Sequence, residues 1–224
     1  VVGTGPAGLA AALAFDAAGF PVRLVGPEPA ADDRRTTALM LPALALLDRF
    51  GIVARLSGAA APLRRMRIVD GTGRLIRSPA VTFHAGEIGE PHFGFNIPNA
   101  ALLAALGARI ADTPSIRWSR TTVTAWQPGA GTVAAALADG KQVAASLAVA
   151  ADGRLSPARD AAGIRTLARR HPQAALVLNF GHSRPHGDCS TEFHTESGPF
   201  TQVPLPGMRS SLVWVLPPAR AEDY

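Results

Sequence analysis

The strongest chemical signal lies at the start of the chain, where Gly3-Thr4-Gly5-Pro6-Ala7-Gly8 has the spacing G-x-G-x-x-G. In this pattern the first glycine permits a tight turn and the second lets the backbone approach a pyrophosphate. The third allows a helix to pack closely on a strand. The helix N-terminus then offers free N–H groups and a positive dipole end to phosphates. The hexapeptide alone is a weak signal, and its surroundings decide its meaning. Val1-Val2 reads as the end of a buried strand, Leu9 to Ala18 as an Ala-rich helix closed at Gly19, and Val22 to Val25 as a second strand. That is a βαβ unit built to hold a dinucleotide.

An acid that binds ribose is expected about 20 residues beyond such a turn. Gly26 occupies that place, and Glu28 follows two positions later. Glu28 either reaches the ribose where the chain bends at Gly26-Pro27 or is an exposed loop glutamate. Asp152-Gly153, at the end of a strand and before a short helix, offers a carboxylate and bare backbone to a ribose or phosphate. A plain turn with an N-cap aspartate is the other reading. Arg35 lies just past the second strand, as an anion contact or as a surface residue.

Other constellations are weaker. His182 and His186 are four apart, but His-Ser-Arg-Pro-His-Gly is no helix, so no metal site is expected. No G-x-S-x-G elbow is present. Cys189 is the single cysteine, which excludes an internal disulfide and paired redox cysteines and fits a reducing, cytoplasmic compartment. The net charge is +5, and Lys141 is the one lysine among 22 basic residues. Clusters at Arg64-Arg65-Met66-Arg67 and from Arg165 to Arg170 read as solvated surface, with anionic lipid or nucleotide contact the alternative. No motif of a nucleic-acid binder accompanies the charge.

The elements that must position these residues follow from the pattern. Residues 36–50 suit an apolar helix ending near Gly51, and residues 66–95 short strands with turns at Asp70-Gly71 and Thr72-Gly73. A helix is expected over 100–111 with Asn99 as its N-cap, then a three-strand meander over 116–151 with a hairpin at Asp139-Gly140. A short helix follows near 157–162, and antiparallel strands fill 174–216. The fold class is α/β: a parallel-sheet, Rossmann-like, three-layer domain interleaved with a mostly antiparallel sheet domain. The expected boundaries are 1–65 with 96–167 for the first domain, and 66–95 with 168–224 for the second.

These motifs resemble the FAD-dependent aromatic hydroxylases, and among them the ubiquinone-biosynthesis hydroxylases. Gly-Pro-Ala-Gly-Leu-Ala favours FAD over NAD. Asp33-Arg34-Arg35-Thr36-Thr37-Ala38-Leu39 resembles the family's arginine motif, and Ala151-Asp152-Gly153-Arg154 through Arg159 its second fingerprint. Glu192-Phe193-His194, Ser197 to Phe200, Pro204-Leu205-Pro206-Gly207 and Ser211-Leu212-Val213-Trp214 resemble its substrate-domain sheet. The resemblance implies that Gly3, Gly5, Pro6, Ala7, Gly8, Glu28, Arg35, Asp152 and Gly153 bind the cofactor. Pro204, Leu205, Pro206, Gly207 and Trp214 would face the substrate.

It further implies hydroxylation of a polyprenylated phenol or benzoquinone precursor, with NADH or NADPH as electron donor and O2 as oxidant. The flavin carries the chemistry, so no catalytic side chain is named. Contact with the inner membrane of a bacterium, or with a complex of ubiquinone-biosynthesis proteins, goes with such a substrate. The third family fingerprint, a Gly-Asp followed by Ala-His, is missing, since Gly187-Asp188 is followed by Cys189-Ser190. With only two residues before the glycine turn, the expectation is the N-terminal portion of a longer protein, with weakened FAD binding and lost turnover.

Overall fold

The computed structural model describes residues 1–224. Val2 bridges Val25 on one side and Ala150 on the other, both in parallel. Helix α1 (Pro6–Ala17) follows, with Pro6 in the first turn, where a missing N–H costs nothing. Gly8, Leu9, Ala12 and Leu13 form its buried face, and Gly19 at φ 84° leads the chain out of it. Strand β1 (Val22–Val25) completes the βαβ start.

Residues 36–50 do not form the single helix expected. They divide into strand β2 (Thr36–Met40) and helix α2 (Leu41–Asp48). The β-branched Thr36 and Thr37 favour extended backbone, and Pro42 belongs in a helix's first turn, so the helix begins only there. A short α3 (Ile52–Arg55) comes after Gly51, then β3 (Ala61–Leu63), β4 (Arg65–Asp70), β5 (Val81–His84) and β6 (Gly94–Pro98). Helix α4 (Asn99–Ala111) starts at Asn99, whose side chain ties the helix start to neighbouring elements. Its Oδ1 accepts from Thr37 Oγ1 (2.6 Å), and its Nδ2 donates to Asp33 Oδ2 (3.1 Å).

The stretch 116–151 holds four strands rather than three. Strand β7 (Ile116–Ser119) leaves the meander to pair in parallel with β1, which gives Ile116 a buried place. Strands β8 (Val123–Pro128), β9 (Val133–Leu137) and β10 (Gln142–Ala145) form the meander, joined at Asp139-Gly140. Helix α5 (Pro157–Ala161) is capped by Ser156, whose Oγ accepts from Arg159 N (3.0 Å). Strands β11 (Ala174–Gly181), β12 (Cys189–Thr195), β13 (Gly198–Leu205) and β14 (Arg209–Leu216) lead to a last turn of helix, α6 (Pro218–Ala221).

By contacts the chain forms two compact units, Val1–Ala31 with Leu102–Ala168 and Asp32–Ala101 with Arg169–Tyr224. Residues 32–65 and 96–101, expected with the first domain, pack within the second unit. The reason is a small antiparallel sheet of order β2-β6-β3 tied to β13 and β14. Asn96 Nδ2 donates to Pro204 O (2.8 Å), and Thr36 Oγ1 to Ser211 Oγ (3.1 Å). The second unit's main sheet has the order β11-β14-β13-β12-β4-β5, antiparallel except where β12 runs with β4. The first unit buries Leu9, Leu13, Leu24, Val25, Leu102 and Leu106. The mixed α/β architecture with an interleaved antiparallel sheet agrees with the sequence.

Candidate functional site

Two of the three motif glycines are dictated by the protein's own packing. Gly3 adopts φ 110°, and a Cβ on it would collide with the Ala151 carbonyl. A Cβ on Gly8 would collide with the carbonyl of Gly3. Gly5 is different, because a Cβ there would meet no protein atom. The space before it is open to a ligand, and only glycine leaves it entirely so. Gly5 is also the N-cap of α1, where no side chain caps the first-turn N–H groups and no acid neutralises the dipole.

A cavity of about 410 Å³ surrounds this turn. Val2 to Gly5 and Val25 to Pro27 form one part of its wall, Thr122, Val123 and Trp126 another, and Ala151 to Gly153 with Pro157 the rest. No lysine or arginine lines it. Within this unit, negative charge would be met by backbone N–H groups and the helix dipole. Asp152 is the one ionisable residue in the wall. Its Oδ2 accepts from Ala158 N (3.1 Å) at the start of α5, while its Oδ1 is buried without a partner. Trp126 Nε1 is buried without a partner as well.

The absence of an acid at the end of β1 has a local cause. A Cβ on Gly26 would run into the side chain of Thr4, which is itself buried and donates from Oγ1 to Pro27 O (2.7 Å). Thr4 thus fills the place where a strand-end side chain would begin. Glu28 is exposed and paired with Arg120, outside the cavity wall. Arg120 lies over the ring of Trp118 (4.6 Å), and Trp118 Nε1 donates to Gly26 O (2.9 Å). The sequence offered a signal for Thr4 in the pairing of a missing acid with a polar residue inside the turn. It offered none for Trp126 or Thr122.

The remaining expected residues belong to the second unit. Arg35 forks onto Asp33, with Nε to Oδ1 at 2.9 Å and Nη2 to Oδ2 at 2.7 Å. The guanidinium holds the Asp33 carboxyl well below the usual range, against the opposing effect of burial and with help from Asn99. Pro204 and Leu205 are buried at the end of β13, and Gly207 makes the turn into β14 at φ 77°. Asp188 N–H donates to His186 Nδ1 (2.9 Å), so the proton of that ring is on Nε2. From there it reaches Leu205 O (3.0 Å) and Gly207 O (3.1 Å). The histidine set aside as a metal ligand is a clamp on the Pro204–Gly207 turn. Trp214 stands opposite Phe200, and Phe200 opposite Phe193, in an edge-to-face ladder across three strands.

An open approach at Gly5, an uncapped helix end, and an unpartnered donor and acceptor in one wall together fit the pyrophosphate and ribose of a dinucleotide. The profile of the FAD binding domain family matches residues 1–222. The chain is 34% identical over 221 residues to the ubiquinone hydroxylase UbiL of Rhodospirillum rubrum, covering 96% of this chain and 50% of that protein. It is 28% identical over 236 residues to the 3-demethoxyubiquinol 3-hydroxylase of Escherichia coli, covering 98% and 57%. The chain spans about half the length of these relatives.

Among solved structures, PqsL of Pseudomonas aeruginosa, a probable FAD-dependent monooxygenase, superposes with a TM-score of 0.82 at 18% identity, over 99% of this chain and 61% of that one. HpxO of Klebsiella pneumoniae, complexed with FAD and uric acid, gives 0.75 at 22%, over 97% and 55%. No helix is long and apolar enough to cross a membrane. By its profile, its relatives and its fold, the chain belongs to the FAD binding domain family, as a homologue of the FAD-dependent monooxygenases.

Proposed function

We propose that this chain is part of an FAD-dependent monooxygenase that hydroxylates the aromatic ring of a polyprenylated ubiquinone precursor, using NADH or NADPH and O2. The observation that carries the reading is its likeness, along almost all of its length, to ubiquinone hydroxylases from two bacteria. Bound FAD supplies the redox chemistry and the activation of O2, which no side chain can perform. The protein's share is to bind, orient and exclude water.

In this reading Gly3, Gly5, Pro6, Ala7 and Gly8 hold the pyrophosphate, and Asp152 and Gly153 close the cradle beside it. Glu28 and Arg35 serve the ribose and phosphate side. Residues 1–65 and 96–167 act as the cofactor-binding part, and residues 66–95 and 168–224 as the substrate part. Pro204, Leu205, Pro206, Gly207 and Trp214 face the substrate there. A prenyl tail partitions into lipid, so the enzyme works at the cytoplasmic face of the inner membrane or in a complex of biosynthetic proteins.

The test is the quinone profile of cells lacking the gene, read by mass spectrometry. Loss of ubiquinone with build-up of a prenylated intermediate one hydroxyl short supports the proposal, and the intermediate's mass narrows the position. An unchanged profile, in cells with no second hydroxylase, moves the assignment to a soluble phenol.

A further inference from the structure

We infer that the indole N–H of Trp126 is a hydrogen-bond donor to the adenosine half of the bound dinucleotide, a binding role no sequence motif assigns to it. The inference rests on the nucleotide reading of the cavity beside it. Trp126 lies on β8 and lines that cavity together with the glycine turn, the end of β1 and Asp152. Its Nε1 is buried and has no partner. Buried polar atoms are nearly always hydrogen-bonded, so an orphan donor in a cavity wall calls for a missing acceptor.

The second orphan in the same wall narrows the choice. Asp152 Oδ1 is a buried acceptor without a donor. A phosphate would suit the indole but repel the carboxylate. A ribose hydroxyl or an adenine edge presents a donor and an acceptor side by side and suits both.

The end of β1 points to the same half of the ligand. Dinucleotide folds place the adenosine ribose at the end of the second strand, where an acid ordinarily receives it. Here that residue is Gly26, its side-chain space is taken by Thr4, and Glu28 is paired with Arg120. Recognition of the sugar therefore passes to other residues in the wall. The indole N–H is shut off from water in the free protein, so a turn of the ring towards the ligand breaks no existing hydrogen bond. What the free state leaves unsatisfied, the complex satisfies.

The experiment is titration of the chain and of its Trp126→Phe variant with ADP and with FAD by calorimetry. It is paired with the indole N–H resonances of the ¹⁵N-labelled unsubstituted chain. The chain has three tryptophans, so the resonance that Trp126→Phe removes identifies Trp126. The expected result is that ADP moves this resonance downfield and slows its exchange with solvent, with no reliance on a variant's folding. Trp126→Phe should bind both ADP and FAD roughly fivefold to tenfold more weakly. ADP binding that leaves the Trp126 resonance unmoved, or equal affinities of the two proteins for ADP, overturns the inference alone. Failure of the unsubstituted chain to bind either nucleotide overturns both this inference and the nucleotide reading beneath it.

Discussion

Three glycines at one spacing serve two different ends, and substitution separates them. Alanine at Gly3 or Gly8 drives a methyl group into a backbone carbonyl, and at Gly3 it also demands a left-handed φ. Either change should cost about 2–4 kcal/mol, read as a fall in the denaturant midpoint. Alanine at Gly5 meets open space. Gly5→Ala should keep nearly full stability and weaken nucleotide binding at least tenfold, because the methyl occupies the phosphate's approach. Normal nucleotide affinity in Gly5→Ala would show that the pyrophosphate does not lie there. The turn itself was legible because glycine spacing reports backbone geometry directly. Trp126 was not, since an indole in an alternating strand reads as wall whichever way its N–H points. The missing acid at the end of β1 was legible as Gly26, and the structure adds that Thr4 fills the space there.

Between the residue and the molecule stand the local devices that shape each element, and here pattern reading was uneven. The strand, turn and helix around the glycines followed from apolar runs bounded by Gly and Pro. Residues 36–40 were misread as helix because Ala-Leu-Met at their end has high helix propensity, while pairing with β6 decides the matter. Asn99 has the type and place of an N-cap, and Asp33 and Thr37 also hold the two ends of its amide. That contact is non-local and leaves no trace in the sequence.

The turn after β4 illustrates a device that was legible, as Asp70-Gly71. Asp70 Oδ1 accepts from Thr72 N (3.1 Å) and Thr72 Oγ1 (2.7 Å), and Oδ2 from Ser78 N (3.0 Å). Led by the Thr72 hydroxyl, these bonds lower the carboxyl to about 2. The unfolded carboxyl titrates near 3.9 (the ordinary aspartate value, about 3.9). The clamp's contribution is therefore complete above about pH 4 and is lost as pH falls towards 2. The stability gap between the unsubstituted chain and Asp70→Asn, measured from pH 6 downward, should narrow over that interval. A constant gap would mean the ionised carboxylate contributes nothing.

At the scale of the whole molecule, the chain passes between its two compact units three times, after Ala31, Ala101 and Ala168. The main sheet of the second unit takes β4 and β5 from one visit and β11 to β14 from another. A chain ending at residue 168 keeps β4 but removes its parallel neighbour β12 and leaves a bare edge. We expect that shortened chain to lose near-ultraviolet circular dichroism and to aggregate, while the 224-residue chain keeps both signal and solubility. A cooperative unfolding transition in the shortened chain would show that the first unit stands alone. The interleaving was legible as alternating textures of helix and sheet.

The contact between the glycine turn and Ala151 bears on how the protein is made. Val2 N–H donates to Val149 O (2.9 Å), Ala151 N–H donates to Val2 O (2.7 Å), and Gly3 packs against the Ala151 carbonyl. In the growing chain the glycine turn is made before its opposite wall, which waits until residues 149–153 have followed. The cradle is therefore whole only once residue 153 has been made, and the nucleotide cannot act as a template for the elements in between. Starvation for flavin should leave the yield of nascent chains unchanged and shorten the lifetime of the finished ones.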